Sequence, residues 1–155
     1  MKTAEDWLGA LGDEHQEGFG PAMQWLVEHP SEARPALRAL VEQNDDGMAT
    51  RRAFEVIGRI GDASDVALLS ARLGGARGTL AADVAHGLAL HRDPAAREAL
   101  IAATENAHSD VAGAAASALG ERKDPAARQS LERLLAHGDE GVRHRAKLAL
   151  EDLAR

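Results

Sequence analysis

Seven histidines are the first candidates for chemistry in this 155-residue chain, which has no cysteine and no tyrosine. Without cysteine there can be no disulfide, no thiolate metal site and no cysteine nucleophile. His86 and His91 stand five residues apart, so they do not share a helix face as ligands at i and i+4 would. His15, His29, His108 and His137 fall in or near expected loops and helix ends, with no carboxylate at a pairing distance in sequence. These histidines read as solvated or structural, and neither a metal nor a cofactor is expected. The serines offer no Gly-x-Ser-x-Gly elbow. Ser31 and Ser109 read as helix caps, and Ser64, Ser70, Ser117 and Ser130 as turn or helix-face residues. The run Gly74-Gly75-Ala76-Arg77-Gly78 is not a phosphate loop, because no strand precedes it and no Lys-Ser/Thr follows. No catalytic set is legible, so the expectation is that the chain is not an enzyme.

The elements that must position these residues are written as a repeat. Asp62, Asp93 and Asp124 are spaced by 31, and Asp93-Pro94-Ala95-Ala96-Arg97 matches Asp124-Pro125-Ala126-Ala127-Arg128 residue for residue. Leu69, Leu100 and Leu131 keep the period, as do Leu26, Ile57, Leu88, Leu119 and Leu150. Four residues before this last column lie Ala22, Ala53, Val84, Ala115 and Ala146, and Leu80, Val111 and Val142 form another. Within a unit, Val111, Ala115, Ala118 and Leu119 follow i, i+4, i+7 and i+8, one stripe of a helix. An Asp then caps the next helix and Pro takes its first position, where no N–H is needed. Each unit is therefore an A helix, a tight turn and a B helix. Neither helix can bury its stripe alone, so units must stack.

The reading is an all-α solenoid of about five helical hairpins in one domain. Residues 1–19 form an N-terminal cap, 20–48, 49–79, 80–110 and 111–141 four hairpin repeats, and 142–155 a C-terminal half repeat. In the cap, Thr3 is the expected start of a short helix with Trp7, Leu8 and Leu11 facing inward. The first hairpin is slipped: aligning Ala33-Arg34-Pro35-Ala36-Leu37 with Ala96-Arg97-Glu98-Ala99-Leu100 needs an offset of 63. One residue is missing from its turn, and one extra lies in Asn44-Asp45-Asp46-Gly47.

Composition supports packed helices, with 45% apolar residues but only 3% aromatics. Charge is uneven. Residues 1–50 set Lys2, Arg34 and Arg38 against ten carboxylates for −7, whereas residues 51–155 balance fifteen of each sign. The acidic third reads as a solvated cap or as a docking end for a basic partner. No apolar run approaches the roughly 20 residues of a membrane span, and no signal-peptide core follows Met1. A cytoplasmic location is expected, without membrane binding.

With Asp-Pro-Ala-Ala-Arg-x-x-Leu after Ala118-Leu119-Gly120, and with Val142-Arg143-His144-Arg145-Ala146 opening a helix, the chain resembles HEAT-like repeats. It looks most like the short bacterial HEAT-like repeats of the phycobilisome-lyase type, over about residues 20–155. The chain departs from the pattern in its B helices, where the usual apolar residue survives as Val66 but is replaced by Arg34, Arg97 and Arg128. The resemblance implies a bacterial binding scaffold whose B helices line the concave surface, with another protein as partner. It also admits a chromophore-lyase-like enzyme or enzyme subunit, or a structural component of a larger assembly. The di-iron hydroxylases of this fold carry repeated His-Glu dipeptides, which are absent here. A nucleic-acid reading would draw on Arg51, Arg52, Arg143, Arg145 and Lys147, but Trp7 and Trp25 lie in the acidic third, and no nucleic-acid partner is expected.

The leading expectation is thus a non-catalytic adaptor that docks a protein through Arg34, Arg38, Arg72, Arg97, Glu98, Arg128, Gln129 and Glu132. The arginine row has two readings: aliphatic stems packed over the leucine columns, or a ladder that meets carboxylates on the partner. Leu148 stands where the other units have Glu55, His86 and Ser117, so Leu148 and Leu153 are candidates for end docking. The chain would then be a monomer, or a weak dimer through its C-terminal end.

Overall fold

The computed structural model describes residues 1–15, 17–43 and 45–155, so Asn44 of the anticipated extra-residue loop lies outside the described residues. Within them the chain is all-helical. A short helix α1 (Ala4–Leu11) precedes four hairpins: α2 (Phe19–Glu28) with α3 (Pro30–Glu42), α4 (Met48–Ile60) with α5 (Val66–Gly75), α6 (Gly78–Leu90) with α7 (Pro94–Ala103), and α8 (Ser109–Arg122) with α9 (Arg128–Leu134). The final helix is α10 (Glu140–Ala154). None of these helices is long and apolar enough to cross a membrane.

The repeated aspartates do what their position requires. Asp62, Asp93 and Asp124 each accept a hydrogen bond from the backbone N–H two residues ahead, on Ser64, Ala95 and Ala126. Single 3-10 turns at Ala63–Asp65 and Pro125–Ala127 lead into α5 and α9, while α7 begins directly at Pro94. Thr3 caps α1 reciprocally: its hydroxyl accepts from the Asp6 N–H, and the Asp6 carboxylate accepts from the Thr3 N–H. Ser31 and Ser109, by contrast, are not caps. Pro30 already occupies the first turn of α3, and Ser109 lies inside α8 behind His108, which makes no side-chain cap bond.

Helices α2, α4, α6, α8 and α10 form one layer and α3, α5, α7 and α9 the other. The core between them is built from the sequence columns: Ala22, Ala53, Val84, Ala115 and Ala146 are buried, as are Leu26, Ile57, Leu88 and Leu119 and the B-helix leucines Leu69, Leu100 and Leu131. The most extensive packing joins α4 to α6, α6 to α8 and α8 to α10. Small residues permit it. A Cβ on Gly58 would sit 2.1 Å from the carbonyl oxygen of Gly87, and one on Gly120 would sit 2.9 Å from the Cα of Ala149. Both pairs are 29 residues apart, a spacing that also separates Ala89 from Ala118. At the first junction it falls on Val27 and Val56, and there α2 packs less extensively on α4. The cap helix α1 lies against α2, α3 and α4. Trp7 stacks on Trp25 at 5.9 Å between ring centroids, and Trp25 on His29 at 4.3 Å.

Candidate protein-docking surfaces

The arginine row of the B helices meets carboxylates, and those carboxylates belong to the next repeat of the same chain. Arg34 Nε donates to Asp65 at 3.1 Å and its guanidinium reaches Asp62 at 3.1 Å. Arg38 donates to Asp65 at 2.8 Å. Asp65 is fully buried, so two cations at 26% and 35% exposure compensate a carboxylate that water cannot reach. One repeat pair later, Arg97 contacts Asp124 at 3.2 Å and its neighbour Glu98 at 2.9 Å. These contacts leave electrostatic marks. The Ser64 hydroxyl and N–H, with Arg34 nearby, hold the Asp62 carboxyl below its ordinary range. The Ala126 N–H, and then Arg97, do the same for Asp124.

A second use of arginine closes helix ends. The last carbonyls of a helix have no partner within it, and a cation there also meets the negative end of the helix dipole. Arg52 donates to the carbonyls of Leu11 and Asp13 beyond α1, with its guanidinium over the Phe19 ring at 4.2 Å. Arg72 donates to Val41 at the end of α3 and to Asp45, and Arg143 to His137 and Gly138 after α9. Arg122 donates to the carbonyls of Leu88 and His91 at the end of α6. Burial pushes the Arg122 guanidinium below its usual range. Of the nucleic-acid candidates, Arg51 pairs with Asp83, Arg145 lies across Gly113, and Arg52 and Arg143 serve the helix ends just described.

Two of the histidines are similarly committed. His91 is fully buried, its Nε2 2.8 Å from the Asp62 carbonyl while its Nδ1 accepts from the Asp93 N–H. These partners fix the tautomer, with the proton on Nε2. His86 Nδ1 lies 2.7 Å from Glu121. Among the described residues no three His, Asp or Glu side chains converge as a metal site would require.

Of the anticipated docking residues, Arg34, Arg38, Arg72 and Arg97 are therefore engaged within the chain, and Glu98 pairs with Arg97. Arg128, Gln129 and Glu132 are exposed on α9, and among the described residues Arg128 makes no ion pair. Beside them Leu135 is 45% exposed, a residue that the repeat columns did not single out. Leu148 on α10 is 46% exposed, whereas Leu153 is half-buried against the core. The sequence could show an arginine row but not its partners, which lie 27 to 31 residues away across a repeat boundary.

This architecture defines the class of protein: an α-solenoid of HEAT-like repeats. The family model described as HEAT repeats matches residues 76–151, the regular half of the stack. A solved structure, the complex of CpcE and CpcF of phycocyanin lyase from Nostoc sp. PCC7120, has a chain with the same fold at a TM-score of 0.69. It is 18% identical, and the match covers 95% of this chain and 97% of that one. No curated protein matches the sequence. The structural likeness corrects the expectation that the chain is not an enzyme, because the fold it shares is that of a lyase complex. That expectation rested on missing sequence motifs. A solenoid presents side chains from several helices on one surface, so a functional set need not be contiguous in sequence.

Proposed function

We propose that this protein is a lyase-type HEAT-like subunit, working in an enzyme assembly by binding a second protein. The observation that carries this reading is the correspondence of fold over nearly the whole length of both chains with a subunit of a two-protein lyase complex. The surfaces offered to the partner are Arg128, Gln129, Glu132 and Leu135 at the end of the B layer, and Leu148 on α10. They supply two exposed leucines and, on α9 beside Leu135, a guanidinium that among the described residues lacks the carboxylate its counterparts Arg34 and Arg97 possess. Apolar anchors beside an arginine are the composition of a binding hot spot. The remaining anticipated residues are engaged elsewhere: Arg34, Arg38 and Arg72 tie the first two hairpins together, Arg97 pairs with Glu98, and Leu153 is half-buried against the core.

The test is co-expression with the products of neighbouring genes, followed by isolation of a stoichiometric complex. Arg128→Glu and Leu148→Asp should each weaken the complex about tenfold or more. The complex should then attach or remove a tetrapyrrole on phycocyanin, followed by visible absorbance, while either protein alone should not. A complex indifferent to both substitutions would remove these surfaces from the proposal. A complex that leaves phycocyanin absorbance unchanged would remove the lyase reading.

A further inference from the structure

The first junction of the A layer carries an inference that the regular repeats do not. From α4 onward a spacing of 29 residues brings Gly58 to Gly87 and Gly120 to Ala149 at backbone contact, and the same spacing falls on Ala89 and Ala118 between them. At α2 and α4 the same spacing falls on Val27 and Val56, β-branched where the other junctions have glycine or alanine, and α2 packs less extensively on α4. The space left between them is an open groove of about 310 Å³ lined by Gly20, Met23, Gln24, Val27, Glu28 and Arg59. It continues past Val27 and Arg59 into a second hollow of about 350 Å³ with Leu90 and Arg92.

The walls are chemically polarised. Met23, Val27 and Leu90 supply an apolar floor, each half-buried against the core or its edge. Glu28 stands at the α2 end, where Gln24 donates to it at 2.9 Å. Arg59 and Arg92 stand at the other end. Arg59 shares its charge with Glu55 at 2.7 Å, whereas Arg92 is exposed and makes no hydrogen bond or ion pair among the described residues. A groove open along its length suits an extended apolar face, not an enclosed small molecule.

We infer that this groove binds an amphipathic helix of a protein partner, with the apolar face on Met23, Val27 and Leu90 and carboxylates meeting Arg92 and Arg59. The inference does not depend on a lyase role, nor on the surface at α9 and α10. Arg59 is already shared with Glu55, so it is Arg92, with no carboxylate partner among the described residues, that favours an acidic helix over a basic one.

Two fluorescent helical peptides of roughly four turns test it, sharing one leucine face but flanked by glutamates in one and lysines in the other. Anisotropy titrations should show the acidic peptide binding at least about tenfold more tightly than the basic one. Arg92→Glu, a change at an exposed side chain, should erase or reverse that preference. Val27→Asp should weaken both peptides about tenfold, with its melting curve recorded to separate lost binding from lost folding. Glu151→Ala, at an exposed side chain of α10 outside both proposed surfaces, should change nothing. Failure of both peptides to bind, or a preference insensitive to Arg92→Glu, would overturn the inference. So would a wild-type dimer in sedimentation that Val27→Asp dissociates, since the groove's occupant would then be a second copy.

Discussion

The two layers of this solenoid are joined by opposite means. In the A layer, helices come closest where side chains are absent, at Gly58 against Gly87 and at Gly120 against Ala149, with the Arg51–Asp83 and His86–Glu121 pairs on their half-exposed rim. In the B layer, neighbouring units are tied by long side chains, Arg34 and Arg38 onto buried Asp65 and Arg97 onto Asp124. The first kind of joint is sensitive to added volume and indifferent to salt or acid. The second tolerates volume and responds to charge. One repeat period thus conceals two different physical constraints.

The largest expected effect breaks the A layer by adding a single carbon. Alanine is favoured over glycine in a helix by about 0.5–1 kcal/mol, yet Gly58→Ala should destabilise the chain by about 2–3 kcal/mol in urea unfolding, because its Cβ would overlap a carbonyl. A stabilising result would refute the backbone contact. Next, Asp65→Ala should cost about 2 kcal/mol by removing the acceptor shared by Arg34 and Arg38, and this loss should shrink in high salt. Lys123 ends α8 in the left-handed region at φ 52, where Gly61 ends α4 at φ 71. Lys123→Gly should therefore raise stability by about 1 kcal/mol, and no gain in the melting temperature would show that the strain is absent.

Acid sharpens the same contrast. The Asp62 and Asp124 carboxyls lie below their ordinary range in the folded chain, so the unfolded chain takes up their protons more readily. Their contribution is complete above the ordinary carboxylate value of about 4 and is lost as pH falls through the lowered values. Asp124→Asn should flatten the decline of melting temperature measured from about pH 5 downwards, while Gly58→Ala should shift the curve without changing its slope. The smallest expected effect is that of Arg128→Ala. With no ion pair to lose, it should alter the stability of the isolated chain by less than about 0.5 kcal/mol. A larger loss would mean that α9 uses this residue internally.

These contrasts also explain how far the sequence could be read. Columns at 31 residues located the buried leucines and the capping aspartates, because a residue's burial and its cap depend on its own place in the unit. The contacts between units run on other spacings. Gly58 touches Gly87 at an offset of 29, so alignment at 31 sets Gly58 over Ala89 and hides the pair. Arg38 reaches Asp65 at 27 and Arg34 reaches it at 31, which no single column displays. Ser31 and Ser109 misled for a local reason: each is a good cap by type, but proline or histidine already occupies the helix entrance. The likeness to HEAT-like repeats of the phycobilisome-lyase type was legible in the repeat motif, and the fold agrees with it; no motif carried a catalytic set, so the lyase reading stood only as the alternative.

The valine pair at the first junction has a consequence for how the molecule opens. In a linear stack, stability is roughly a sum of unit and neighbour terms, and opening proceeds from whichever end has the weaker neighbour term. The looser packing of α2 on α4, where Val27 and Val56 replace small residues, makes that end the first hairpin, which leans on α1 and its Trp7–Trp25 stack as well as on α4. Amides of α2 should exchange with solvent through a partial opening that leaves α6, α8 and α10 closed. A helix seated between α2 and α4 would then slow that exchange from a distance, turning a defect in the repeat into a coupling between occupancy and local order.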